Sequence, residues 1–296
     1  MANVHSILKK IDSLRMGKRF GQYAPHKPLL ILHALGELSR GRDIVPFRDL
    51  DAPLTRLLED FGPQRARHHP EYPFWRLQND GLWVVTADEP VLTRASNNDA
   101  KKSELINKNA VGGFVPEDLE VLKSSAENIR IVAVKVLDAH FPETLHRDIL
   151  DTVGLDLDLA EGKQRRSPDF RRKVLRAYEG RCCVCGYDLR LGNRLAGLEA
   201  AHIMWHTVGG PDEEPNGLAL CVLHHKAFDL GAFTVEADGL TVLCSQELSG
   251  TTKREWLIGY HGSRISEPQS LSYFPEERYL NWHWTTIFKR PPRELG

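Results

Sequence analysis

The sequence predicts an α+β protein of two domains: a helical, winged-helix-like N-terminal domain with a hairpin, then a zinc-braced domain of strands and a short helix. Three observations predict it. The first half carries apolar residues at helical spacing, in segments bounded by Pro and Gly. One stretch in that half, "YPFWRLQNDGLWVVTA", reads as two short strands around a Gly-containing turn. The second half holds two matched ligand pairs, C-x-x-C and C-x-x-H, around strand-like apolar runs.

The 296 residues are enough for two domains of ordinary size. Apolar residues make up 41% and charged residues 27%, the balance of a water-exposed globular protein. No apolar run reaches the roughly 18 residues of a membrane span, so no membrane association is expected. The opening "MANVHSILKKIDSLRMGKRF" lacks an apolar signal core and reads as an amphipathic helix. Five cysteines do not make a disulfide scaffold. A reducing, cytoplasmic setting is expected, and clustered cysteines there point to metal. The formal net charge of −1 neither supports nor excludes nucleic-acid binding, which depends on a local patch.

Along the first domain, residues 1–150, "PHKPLLILHALGELSRG" has Pro28 near its start and Gly41 after its end, as helices prefer. "PFRDLDAPLTRLLEDFG" repeats the pattern. The hairpin follows, and then "SAENIRIVAVKVLDAHFP" and "TLHRDILDTVG" read as two more helices. Residues 151–166 lose apolar periodicity and read as a linker. The second domain, residues 167–296, opens on a basic run of Lys163, Arg165, Arg166, Arg171, Arg172, Lys173 and Arg176 that begins in the linker. That run is either a solvated helix face or a phosphate-contacting surface. The aromatics of the C-terminal "PEERYLNWHWTTIFKR" suit core or interface packing.

The informative stretch is "CVLHHKAFD", Cys221 to Asp229. Adjacent helical residues point about 100° apart, so one metal does not readily take both histidines. Cys182 and Cys185 of "RCCVCGYD", with Cys221 and His224, form two clamps suited to one tetrahedral structural zinc. Cys183 is then a spare, and Cys244 in "LTVLCS" a core residue. His225 is left to face elsewhere. Upstream lie His202, at the end of the strand-like "LEAAHI", and Asn216 in "DEEPNGLALC". The order His202, Asn216, His225 has intervals of 14 and 9 residues, enclosed by the zinc clamp.

In "CCVCG", "LEAAHI", "PNGLALC" and "HHKAFDLGAFTV", residues 168–235 resemble an HNH nuclease module, a ββα-metal fold in its zinc-braced variant. The resemblance implies a metal-dependent DNA endonuclease. It gives His202 the role of general base toward water, a task that an imidazole with a pKa near ~6.5 suits. It gives Asn216 the task of holding the loop and orienting His202, and His225 that of binding a catalytic divalent cation such as Mg2+ or Mn2+. Asp229, four residues on and on the same helix face, is either a second ligand of that cation or a structural carboxylate. Glu199, three residues before His202, is expected on the opposite strand face, with an ion pair to a residue such as Arg194. Ala201 stands where many family members carry a metal-ligating Asp or His, which implies a looser coordination shell.

In the first domain, "YAPHKPLLIL" and "RARHHPEYPFWRLQNDG" resemble the sulfur-binding domain of phosphorothioate-dependent McrA-like type IV restriction endonucleases. The resemblance implies a partner, double-stranded DNA carrying a phosphorothioate, and cleavage of phosphodiester bonds nearby. Sulfur is larger, softer and more weakly hydrated than oxygen, so a pocket selecting it should be apolar, rigid and rimmed by cations. Pro73, with Tyr72 and Phe74 beside it, is expected to line that pocket. His26 and Lys27 are expected at its rim, and Arg67, His68 and Arg76 on neighbouring phosphates. "GGF", Gly112 to Phe114, is expected to be a loop in which Gly113 lets backbone approach DNA, with Lys101, Lys102 and Lys108 nearby. Two other readings compete: a reader of a different modification such as 5-methylcytosine, and a catalytically degenerate zinc-containing DNA-binding protein. One module makes one nick, so a homodimer is a route to double-strand cutting, with the C-terminal aromatic segment as an interface.

Overall fold

The computed structural model describes residues 3–16, 25–157 and 168–294. The chain divides into two compact units, Met1–Glu161 and Gly162–Gly296. Both helices and sheets are present, as the α+β class requires. Among the described residues no helix is long and apolar enough to cross a membrane.

The first unit runs α1 (Val4–Asp12), α2 (His26–Ser39), β1 (Ile44–Pro46), α3 (Phe47–Phe61), α4 (Glu71–Arg76), β2 (Trp83–Thr86), α5 (Lys102–Asn107), β3 (Val111–Phe114), α6 (Pro116–Lys123), α7 (Ala126–His140) and α8 (Glu143–Val153). Every residue of α2 from Lys27 to Leu38 is buried. A helix covered on all sides belongs at a domain centre, and α2 packs against α3, α4, α7 and α8. Helix α8 runs three residues into the stretch assigned to the linker.

The hairpin expected around "QNDG" does not form. "EYPFWR" is helix α4, followed by a 3-10 turn at Leu77–Asp80, and only "WVVT" is a strand. Proline decides the first half. Pro70 caps α4 and Pro73 is its third residue. The first turn of a helix has no intrahelical use for those N–H groups, whereas a central strand would lose a ladder donor at Pro73. The partner of β2 is instead β3, in an antiparallel sheet of order β1-β3-β2.

"GGF" is likewise no loop but the middle of that sheet, with Gly112 and Gly113 both buried in β3. A Cβ on Gly112 would lie 2.6 Å from the Trp83 ring, and one on Gly113 would lie 2.7 Å from the Asp43 carbonyl. The glycines admit close neighbours within the fold, so the packing of the sheet accounts for Gly113 where a loop was expected.

The second unit runs α9 (Pro168–Ala177), β4 (Arg190–Leu191), β5 (Arg194–Leu195), β6 (Leu198–His202), β7 (Gly217–Cys221), α10 (Val222–Asp229), β8 (Phe233–Glu236), β9 (Thr241–Cys244), α11 (Lys253–Trp256) and α12 (Glu277–Thr286). Strands β6 and β7 pair antiparallel, Leu198 opposite Cys221 and His202 opposite Gly217, and α10 follows at once. This is a ββα unit. Helix α9 packs on β6 and β7. Gly217 makes room for it, since a Cβ there would lie 2.4 Å from Val174 Cγ2. Helix α12 packs on β8 with Tyr279, Leu280 and His283 buried. The C-terminal aromatics are therefore largely core: the face that repeats at helical spacing is spent within the unit.

Candidate metal centre and nucleic-acid interface

The second unit gathers Cys182, Cys185, Cys221 and His224, whose donor atoms all lie within 4.8 Å of one another. A tetrahedral zinc with bonds near ~2.3 Å spaces its sulfurs ~3.8 Å apart, so the donor set fits that ion. His224 Nδ1 lies 3.2 Å from Cys221 Sγ and 3.5 Å from Cys182 Sγ. Its Nε2 donates to the Trp256 carbonyl at 2.8 Å, which keeps the Nδ1 lone pair for the cluster. Hydrogen bonds with Cys182 and Cys185 pull the Cys221 thiol far below its ordinary range, and contacts with Cys182 and Cys221 push Cys185 up. Burial opposes protonation of His224, but Cys182 and Cys221 outweigh it and raise the ring to about 10. A divalent ion stabilises such a cluster by displacing the protons its donors would otherwise share. Cys183 is fully buried, and burial raises its thiol well above the ordinary range. Cys244 is also buried, and its thiol is pushed up to about 11.

His225 leaves α10 in another direction and lies between two carboxylates. Its Nδ1 is 2.6 Å from Glu199 Oε2, and its Nε2 is 3.3 Å from Asp229 Oδ2. The second oxygen of Asp229 accepts from Trp205 Nε1 at 3.2 Å. Burial of His225 would lower its pKa, but Asp229 first and then Glu199 overcome this and raise it to about 9. Glu199 thus faces α10 from β6, an arrangement that the expected partner Arg194 did not anticipate.

His202 ends β6. Its ring stacks on Phe170 at 3.8 Å, and its Nε2 lies 2.8 Å from Asp212 Oδ1. Asn216 is fully buried. Its Oδ1 accepts from the Met204 amide at 2.9 Å, and its Nδ2 donates to the Met204 and Pro211 carbonyls, both at 3.0 Å. One carboxamide thereby staples both ends of the loop that follows His202. Gly210 is required inside that staple, because a Cβ there would lie 1.9 Å from the Met204 carbonyl oxygen.

Sequence reasoning missed Asp212, Trp205 and Phe170, and it missed the contact of Glu199 with His225. "PDFRR" and "GGPD" carry no spacing that ties them to His202. Of the basic run, Arg171 donates to the Leu198 carbonyl at 2.9 Å and Arg172 pairs with Asp169 at 2.7 Å. Lys163, Arg165 and Arg166 lie outside the described residues.

In the first unit, a cleft of about 450 Å³ is lined by Arg15, Lys27, Trp75, Arg76, Asn79 and Asn98, among others. Lys27 lines it, but the side chain is mostly buried, ion-paired with Asp80, and donates to the Arg15 carbonyl at 2.8 Å. It is therefore not an open cationic rim. Arg76 donates to Asp99 at 2.7 Å and lies over the Tyr72 ring at 4.7 Å. His69 also stacks on Tyr72, at 4.8 Å. Pro73 is buried in α4, His26 is half-buried at the start of α2, and Arg67 is exposed. Phe74 departs from the expected pocket. It is fully buried and packs edge-on against Phe47 and Trp83, because its place in α4 points it into the core. Lys102 pairs with Asp51 at 2.7 Å, and Lys108 pairs with Glu89.

Residues 4–158 match the model of a ScoMcrA-like DNA sulfur-binding domain, and residues 182–236 match that of an HNH endonuclease. Among solved structures, the sulfur-binding domain of ScoMcrA in complex with phosphorothioated DNA is similar at 24% identity and a TM-score of 0.44, over 50% of this chain and 94% of that one. The sulfur-binding domain of SprMcrA, also with phosphorothioated DNA, is similar at 22% identity and a TM-score of 0.45, over 52% of this chain and 95% of that one. The type IV phosphorothioation-dependent restriction endonuclease ScoMcrA is similar at 22% identity and a TM-score of 0.41; the match covers 50% of this chain but only 27% of that one. No curated protein matches the sequence.

Proposed function

The chain belongs to the ScoMcrA-like DNA sulfur-binding domain family, and from that premise we propose that it recognises phosphorothioated double-stranded DNA with its first unit and hydrolyses nearby phosphodiester bonds with its second. The second unit carries an HNH endonuclease domain, matched over residues 182–236. The observation that supports cleavage best is the coexistence of a positioned imidazole, a loop staple and a histidine–carboxylate pair within one ββα unit.

His202 serves as the general base. Phe170 fixes its ring plane, and Asp212 favours the imidazolium that forms when it takes a proton from water. Asn216 acts on this histidine through the loop rather than by touching the ring: it holds residues 204–211 against the end of β6. His225 Nε2 and Asp229 Oδ2, 3.3 Å apart, have the spacing of neighbouring ligands on bonds of ~2.1 Å, so this pair suits a divalent cation such as Mg2+ or Mn2+. Bound there, the cation would neutralise charge on the scissile phosphate and the departing oxygen. The four-donor cluster would hold a structural zinc that fixes the start of α10 against residues 182–185.

Recognition falls to the cleft and to Tyr72, Pro73 and Arg76 of α4, where a rigid ring, an aromatic face and a guanidinium adjoin. Cutting both strands needs a second nuclease module, which a second copy of the chain supplies. The test is nicking of a supercoiled plasmid, with and without phosphorothioates, in Mn2+ and in Mg2+. Wild-type protein should nick the modified plasmid, and His202→Ala should leave it intact while still retarding it on a gel.

A further inference from the structure

We infer that Glu199 is a positioning residue of the nuclease centre, holding the Nδ1–H of His225 so that Nε2 faces the cation together with Asp229. The inference rests on the cation site proposed above. His225 is buried, with its side chain 2% exposed, and has a carboxylate at each ring nitrogen. The two contacts differ in kind. Glu199 Oε2 stands 2.6 Å from Nδ1, the length of a strong charge-assisted hydrogen bond. Asp229 Oδ2 stands 3.3 Å from Nε2, long for such a bond and suited to two ligands that share an ion. Trp205 Nε1 holds the other Asp229 oxygen, which fixes the carboxylate with Oδ2 toward the ring.

An imidazole that ligates a metal does so through one nitrogen, and a hydrogen bond at the other fixes its tautomer and ring angle. Here the tautomer is set from β6. Glu199 lies 26 residues before His225, yet β6 and α10 share one ββα unit, so the strand delivers the carboxylate to the helix. The Glu199 side chain is 40% exposed. It can therefore hold the N–H without itself being sealed into the core. An amide oxygen at this position still accepts from Nδ1–H, but it lacks the charge that raises ligand basicity.

The test is calorimetric titration of the full-length, zinc-loaded chain with Mn2+ alone, with zinc content and circular dichroism as checks on the fold. Glu199→Ala should weaken Mn2+ binding by about 10-fold or more. Glu199→Gln should fall between that variant and wild type, and it serves as the readout if the alanine variant does not fold. Zinc content and retention of phosphorothioated DNA should be unchanged in both. If Glu199→Ala and Glu199→Gln bind Mn2+ like wild type while His225→Ala and Asp229→Asn lose it, the inference is wrong and the cation site stands. If Glu199→Gln is as damaging as Asp229→Asn, Glu199 is a ligand in its own right and the positioning role is overturned. If His225→Ala and Asp229→Asn both retain wild-type affinity, the cation site itself is misplaced and the inference falls with it.

Discussion

Two adjacent histidines carry different duties because a helix turns about 100° per residue. His224 meets Cys182 and Cys221, and His225 meets Glu199 and Asp229. His224→Ala should lose zinc, measured by elemental analysis, and unfold the second unit, because structural zinc contributes roughly 10 kcal/mol or more of binding energy. His225→Ala should keep its zinc and its fold but not cut; equal zinc loss in both would show the division to be reversed. The division was legible in the sequence because helix geometry is local. Glu199 and Asp212 were not, since their partners are 26 and 10 residues away and only the strand and loop paths bring them together. A third histidine gives a pH prediction. His283 is fully buried, accepts from the Thr234 hydroxyl and donates to the Phe228 carbonyl, and burial lowers its pKa to about 4. The unfolded chain binds this proton near ~6.5, so the stabilisation is complete above that pH and is lost as pH falls from there to about 4. The loss should be on the order of 3 kcal/mol. Chemical denaturation at pH 7 and pH 4.5 should show a smaller acid loss in His283→Gln than in wild type.

At the scale of elements, α1, α2, α3, α7 and α8 were legible from apolar spacing, whereas α4 in "YPFWRL", the short helices α5 and α6, and the strand at "GGF" were not. Tyr72, Phe74 and Trp75 favour strands, but Pro70 and Pro73 fit only the opening of a helix, and the prolines prevailed. The glycines of β3 looked like a loop because the chain carries no local sign that Trp83 and Asp43 will lie against them. Their packing makes a test. Gly112→Ala should force the Trp83 ring aside and cost about 1–3 kcal/mol of stability in urea, the usual penalty of overpacking. An unchanged midpoint would show that the sheet has slack there. Residues of α12 were read as either core or interface; Tyr279, Leu280 and His283 are core, buried on their own unit.

At the scale of the molecule, the chain forms two compact units, and if recognition belongs to the first and cleavage to the second, as proposed, variants should separate them. His202→Ala should bind phosphorothioated DNA like wild type and leave it uncut. Pro73→Gly removes a rigid ring from the start of α4. It should weaken binding to phosphorothioated duplexes while leaving weak binding to ordinary DNA nearly unchanged, since that attraction is mainly electrostatic. In Mn2+ at high protein concentration, Pro73→Gly should still nick some unmodified DNA. The claim at the centre is that one sulfur atom directs this nuclease. The most direct measurement compares dissociation constants and cleavage of two duplexes identical except for a single phosphorothioate. The sulfur-bearing duplex should bind at least about 10-fold more tightly, a difference of ~1.4 kcal/mol, and should be the one cut at low protein concentration. Equal affinity and equal cutting of the two duplexes would contradict the account of the first unit and leave an endonuclease without sulfur dependence.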